Sequence, residues 1–175
     1  VLRIAQAAGH LAAGVCLKLG GVRAAIAVAV RWFTQTEDSH RRGALRCGAV
    51  AVIPRADRLL VIRRAATVEA PGTYCFPGGA LEPGETEEDT IRRELREELA
   101  VDVVPVRRIW QSITPWQVDL RWWLVDLDPS AQLQPNPAEV ASAHWLTHAE
   151  IRQLPELLTS NHHYLAALER GGALA

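Results

Sequence analysis

The chain has 175 residues, 49% of them hydrophobic and 22% charged, with a formal net charge of −1. That is enough for one domain with a real core and too little for two full ones. The charge is uneven: residues 1–43 carry six Lys and Arg against two acids, a net +4, leaving −5 for residues 44–175. An acidic domain binds polyanions poorly without specific contacts. A nucleic-acid polymer is therefore not an expected partner, and a phosphate substrate would need cations held locally.

Cys16, Cys47 and Cys75 are odd in number and widely spaced. They form neither a CxxC zinc pair nor a disulfide framework, and read as free thiols in a reducing, cytoplasmic setting. Residues 11–30 are apolar but interrupted by Lys18 and Arg23. The uncharged runs fall short of the roughly 20 residues a membrane span needs. Residues 1–43 read as a poorly ordered or loosely helical extension, with the polar stretch TQTEDSHRRG as the linker into a domain over 44–175.

Within that domain, CGAVAVIP and RLLVIRR read as a hairpin of strands joined by a turn over 54–57. A loop rich in Pro and Gly, EAPGTYCFPGGALEPGE, leads into an acidic helix over about 87–99. VVPVRRIWQSI and WQVDLRWWLVDL read as two strands, and ASAHWL as a shorter one. Residues 148–170 are mostly helical, with a break near Pro155. Strands and helices in mixed order imply an α/β or α+β sandwich.

The acidic helix carries the chemistry. Thr86 and Asp89 have capping-box spacing, and Glu87, Glu88 and Asp89 suit the positive end of the helix dipole. Ile91, Leu95 and Leu99 form a narrow apolar stripe. Arg93, Arg96 and Asp89 lie away from it, as a solvated helix requires. Glu98 falls on the apolar side, Glu94 lies beside it and Glu97 one step further round. Three carboxylates that close repel one another, and a buried one needs a cation. Hard divalent ions such as Mg²⁺ or Mn²⁺ suit such oxygens; a salt-bridged surface helix is the alternative.

A longer pattern joins these residues: Gly79, five residues, Glu85, seven residues, then REL-REEL-AV over 93–101. It resembles the Nudix box of the Nudix hydrolases, with Ala100 where the family usually has Gly. The resemblance implies an α/β/α sandwich with a mixed sheet and a loop–helix–loop box. It also implies an enzyme that hydrolyses a nucleoside diphosphate linked to another group, X, with Mg²⁺ or Mn²⁺. The Gly79 carbonyl, Glu94, Glu97 and Glu98 would hold metal, with Glu139 a further ligand or base, and one carboxylate would take the proton of the attacking water. Arg93 would pair with Glu85 and brace the ligands.

Arg64, ahead of Phe76-Pro77-Gly78-Gly79, and Asn161 resemble nucleotide-binding positions of MutT-type nucleoside triphosphate pyrophosphohydrolases. Their bland readings are a strand-end Arg and a helix N-cap. Tyr74, Phe76 and Trp116 are the candidates for stacking on a base, while Trp110, Trp122, Trp123 and Trp145 read as core. The substrate expected first is a nucleoside triphosphate, including oxidised purines such as 8-oxo-dGTP, cleaved to monophosphate and pyrophosphate. ADP-ribose, other nucleotide sugars and dinucleoside polyphosphates are the alternatives. A non-catalytic nucleotide sensor is the third reading, and the intact carboxylates argue against it. The assembly expected is a monomer or homodimer.

Overall fold

The two apolar runs read as a hairpin part company. The computed structural model describes residues 45–171, so the extension over 1–43 and Cys16 lie outside the described residues. The elements are β1 (Arg46–Val52), β2 (Pro54–Arg55), β3 (Arg58–Arg64), β4 (Tyr74–Cys75), β5 (Gly78–Ala80), α1 (Glu87–Leu99), β6 (Val103–Ile113), β7 (Val118–Leu127), β8 (Val140–Thr147), α2 (His148–Arg152) and α3 (Thr159–Glu169). One mixed sheet runs β5-β1-β7-β6, with β1 and β7 parallel. In a second sheet β3 lies between β8 on one side and β2 and β4 on the other.

Only the short β2 completes the tight turn, pairing Pro54 with Leu59 and Arg55 with Arg58. β1 itself goes to the other sheet. The reason lies in the side chains: both runs are apolar on both faces, so each is most stable as an interior strand of its own sheet. Alternation then divides the core. Ala49, Ala51, Leu60 and Ile62 pack with Ile91, Leu95 and Leu99 of α1. Val52, Leu59 and Val61 pack with Ile151, Tyr164 and Leu165 of α2 and α3. Period two on the strands thus gives an α/β/α sandwich. Trp122 stacks on Tyr164 at 4.6 Å between ring centres and belongs to the second cluster.

α1 begins and ends where its sequence sets it. Thr86 Oγ1 accepts the Asp89 amide at 3.1 Å, but the Asp89 carboxylate accepts the Thr86 hydroxyl at 2.7 Å. The expected reciprocal capping box is therefore only half formed, because the short Asp side chain binds the hydroxyl and not the Thr86 amide. At the other end Ala100 takes the left-handed conformation, φ 55° and ψ 40°, and its amide bonds back to Arg96 and Leu95. The missing glycine does not move the helix end. Among the described residues, no helix is long and apolar enough to cross a membrane.

Candidate active site

β5 and the loop behind it place the box. Gly79 pairs with Ala49 and Gly78 with Val50, which fixes the strand against β1. Gly78 has φ +136°, and a Cβ there would lie 2.3 Å from the Ala49 oxygen, so the close approach requires glycine. A Cβ on Gly79 would lie 2.2 Å from Glu94 Oε1. The missing side chain leaves a cradle that the Glu94 carboxylate fills.

The loop is tied to the helix by Arg93. Its Nε and Nη2 donate to the two oxygens of Glu85 at 2.7 and 2.9 Å, and Nη2 also donates to the Ala80 carbonyl at 3.0 Å. Glu85 accepts further bonds from the Glu82 amide and the Thr90 hydroxyl, each at 3.0 Å. Burial opposes the Arg93 charge, but Glu85 and Glu94 together hold its pKa above the usual value.

The three carboxylates named from the helix wheel differ as their positions require. Glu98 is 5% exposed and accepts the Gly78 amide at 3.0 Å. Glu94 is mostly buried, and Glu97 is exposed. Burial, and then the neighbouring Glu94 charge, push the Glu98 pKa well up, against the pull of the Gly78 amide and Arg64. Burial also raises Glu94; Arg93 opposes this, while Glu97 and Glu139 add to it. Glu139 reaches this group through the Pro-rich connection. The Asn136 amide donates to the Glu98 carbonyl at 2.8 Å, and the Gln134 amide to the Leu99 carbonyl at 2.9 Å, docking that loop on the end of α1.

As the side chains stand, no three His, Cys, Asp or Glu among the described residues converge on one point. Arg93 Nη1 bridges Glu94 and Glu97 at 2.7 and 3.2 Å. The donor chemistry nevertheless fits a hard divalent cation. Glu94 and Glu98 are carboxylates held against their charged form first by burial, with Glu94 adding to the effect on Glu98, beside a glycine cradle.

A cavity of about 1020 Å³ adjoins this group. Gly78 and Gly79 line it; Glu94, Glu97 and Glu98 do not, and Glu94 and Glu98 meet it across those two glycines. Arg64, Phe76, Trp116 and Asn161 also line it, whereas Tyr74 does not. Arg64 is held by the Glu69 carbonyl at 2.7 Å. Tyr74 instead faces His144 and Arg63. Asn161 does not cap α3: the N-cap is Leu158, with no side-chain bond, and the helix starts one turn earlier than the capping reading needs. The Asn161 Oδ1 accepts the Phe76 amide at 2.9 Å. The Phe76 ring is packed edge-on against Trp122 and Tyr164. Trp116, 55% exposed, therefore offers the freer aromatic face.

Glu87 is the residue that sequence reasoning undervalued. Its carboxylate does more than start the helix: it accepts Arg121 at 2.5 Å, Arg108 at 3.3 Å and the Trp123 indole at 2.7 Å. Trp123, read as core, uses its polar edge here. The signal available in the sequence was position. Glu87 lies seven and eleven residues before Glu94 and Glu98, about two and three helical turns away on the same face.

The family model described as NUDIX domain matches residues 45–168. The chain belongs to the Nudix family. Among curated relatives, the NAD-capped RNA hydrolase NudC of Stutzerimonas stutzeri (strain A1501) is 31% identical over 106 residues, 61% of this chain and 38% of that protein. The NAD-capped RNA hydrolase NUDT12 of Pongo abelii is 33% identical over 81 residues, 46% of this chain and 18% of that protein. The chain thus spans well under half the length of these relatives. Among solved structures, the MutT protein from Methanosarcina mazei Go1 superposes with a TM-score of 0.62 at 19% identity, covering 72% of this chain and 94% of that one. At that identity the likeness concerns the Nudix fold alone.

Proposed function

We propose that this protein is a divalent-metal-dependent pyrophosphohydrolase acting on a nucleoside diphosphate linked to a further group. The observation that carries this reading is the pairing of buried carboxylates, Glu94 and Glu98, with the Gly78–Gly79 wall of a nucleotide-sized cavity. Glu94, Glu97 and Glu98, with the Gly79 carbonyl and Glu139, would hold Mg²⁺ or Mn²⁺. Bound there, such ions neutralise phosphate oxygens and lower the pKa of the attacking water. One of the carboxylates accepts the water proton. One P–O bond forms to the water oxygen as one P–O bond of the anhydride bridge breaks, and the bridging oxygen leaves on the departing phosphate. The role of Arg93 and Glu85 is to keep α1 in register with its loop.

The first substrate reading is a nucleoside triphosphate, with Arg64 at the phosphates and the Asn161–Phe76 wall beside the base. The second is a dinucleotide diphosphate, including an NAD-type end on RNA. It is favoured by the relatives named NAD-capped RNA hydrolases and by the exposed face of Trp116 in the cavity lining. That reading brings a nucleic-acid end back as a partner, against the composition-based expectation.

The test is a screen of nucleoside triphosphates, ADP-ribose, dinucleoside polyphosphates, NAD and NAD-capped RNA with Mg²⁺ or Mn²⁺, the products being identified by chromatography. Monophosphate plus pyrophosphate supports the first reading. Two mononucleotides released from NAD support the second. No turnover of any compound with either metal would overturn the proposal.

A further inference from the structure

We infer that Glu87 is a positioning residue for the metal-holding face of α1, acting through Arg121 and Trp123; this rests on the metal-site reading above. Glu87 sits at the first helical position and is mostly buried as a side chain. Its Oε1 accepts Arg121 Nη1 at 2.5 Å and Arg108 Nη1 at 3.3 Å, and its Oε2 accepts Trp123 Nε1 at 2.7 Å. The clamp is itself braced. Arg121 Nη2 donates to Asp119 Oδ2 at 3.2 Å, and Asp119 Oδ1 accepts Gln111 Nε2 at 2.8 Å. All five partner side chains beyond the helix come from β6 and β7, long strands paired over most of their length.

The geometry gives this network a consequence at a distance. Glu87, Glu94 and Glu98 share one helix face, with Glu94 and Glu98 ~10 and ~16 Å along the axis from Glu87. Beside the apolar packing of Ile91, Leu95 and Leu99, the other polar anchors of α1 join it to the neighbouring loop and β5 or lie at its far end. Arg93 holds the helix to its own loop and to β5, and Gln134 and Asn136 hold its last turn. Glu87 fixes the first turn on the β6–β7 ribbon. Released there, the helix can tilt about its anchored end, and the Glu94 carboxylate leaves the Gly79 cradle. A helix pinned at both ends presents carboxylates at a set depth, and such supporting contacts tune metal affinity.

The experiment is calorimetric titration of the metal-free full chain with Mn²⁺, comparing wild type, Glu87→Ala, Glu87→Gln and Arg96→Ala. The last breaks the exposed pair between Arg96, on the same helix, and Asp102, just beyond its end. Glu87→Ala is expected to weaken Mn²⁺ binding about 10-fold. Glu87→Gln, which keeps acceptor capacity for Trp123, should recover part of the loss, and Arg96→Ala should bind as wild type. In turnover assays Glu87→Ala should lower kcat with KM unchanged. If Glu87→Ala is less heat-stable yet binds Mn²⁺ like wild type, Glu87 is structural only and the inference fails. Should Glu87→Ala not fold, Trp123→Phe, which removes one bond to Glu87, takes its place; an unchanged Mn²⁺ affinity there also sinks the inference. A wild type that binds no Mn²⁺ would instead overturn the metal-site reading, and the inference with it.

Discussion

The two ends of α1 carry carboxylates on one face and surround them in opposite ways. At the N-terminal end, Glu87 is matched by two guanidinium groups and an indole N–H. At the other end, Glu98 and Glu94 are buried close to each other, and their pKa values rise because protein donors do not offset the burial. The first station is satisfied by the fold and stabilises it. The second keeps carboxylates where burial outweighs their donors, as sites that bind cations do at the expense of stability.

The largest expected effect comes from removing the charge at the second station. Glu98→Gln should lower kcat by about 100-fold or more. Gln can still accept the Gly78 amide, so thermal melts of the metal-free protein should show no loss of stability, and divalent ions should no longer raise the melting temperature. Near-normal turnover in this variant would break the comparison. Gly79→Ala tests the cradle. Its Cβ would meet the end of the Glu94 side chain at 2.2 Å, a flexible group that can swing away. The circular dichroism spectrum should be unchanged, while steady-state assays show kcat lower by about 10-fold or more.

The cysteines sharpen the same contrast. Cys47 is partly exposed and lies 3.8 Å from Arg121 Nη2 near the first station. Cys75 is buried beside the second, where burial pushes its pKa up to about 11. Iodoacetamide at pH 8.5, read by peptide mass spectrometry, should therefore modify Cys47 well before Cys75 in the native protein. The unfolded Cys75 thiol ionises near 9.0 and the native one near 11. Native stability from this group is present below the lower value and lost as pH rises through the higher one, by about 1.4 kcal/mol per unit. Ala100→Gly is the smallest change. Relief of the left-handed Ala100 should stabilise the fold by about 1 kcal/mol in urea denaturation and leave kcat alone.

Much of the second station was legible beforehand. The 3.6-residue period placed Ile91, Leu95 and Leu99 inward and Glu98 beside them, and all four are buried. The family resemblance carried by Gly79, Glu85 and Arg93 implied the loop–helix brace that the hydrogen bonds display. The partners of the first station were not legible. Glu87 looked like a helix-starting acid because its partners lie 21, 34 and 36 residues away in sequence. The alternative reading of Asn161 as a helix N-cap failed for a similar reason, its partner being the Phe76 amide 85 positions earlier.

By itself the sequence determined the limits of α1, the burial of Glu98 and the family pattern, because these depend on residues within a few turns of one another. Tertiary structure alone decided that β1 and β3 enter different sheets, that Asn136 and Gln134 dock the loop carrying Glu139 on the end of α1, and that Glu87 meets Arg121 and Trp123. Those outcomes depend on the register between distant strands, which local periodicity does not encode.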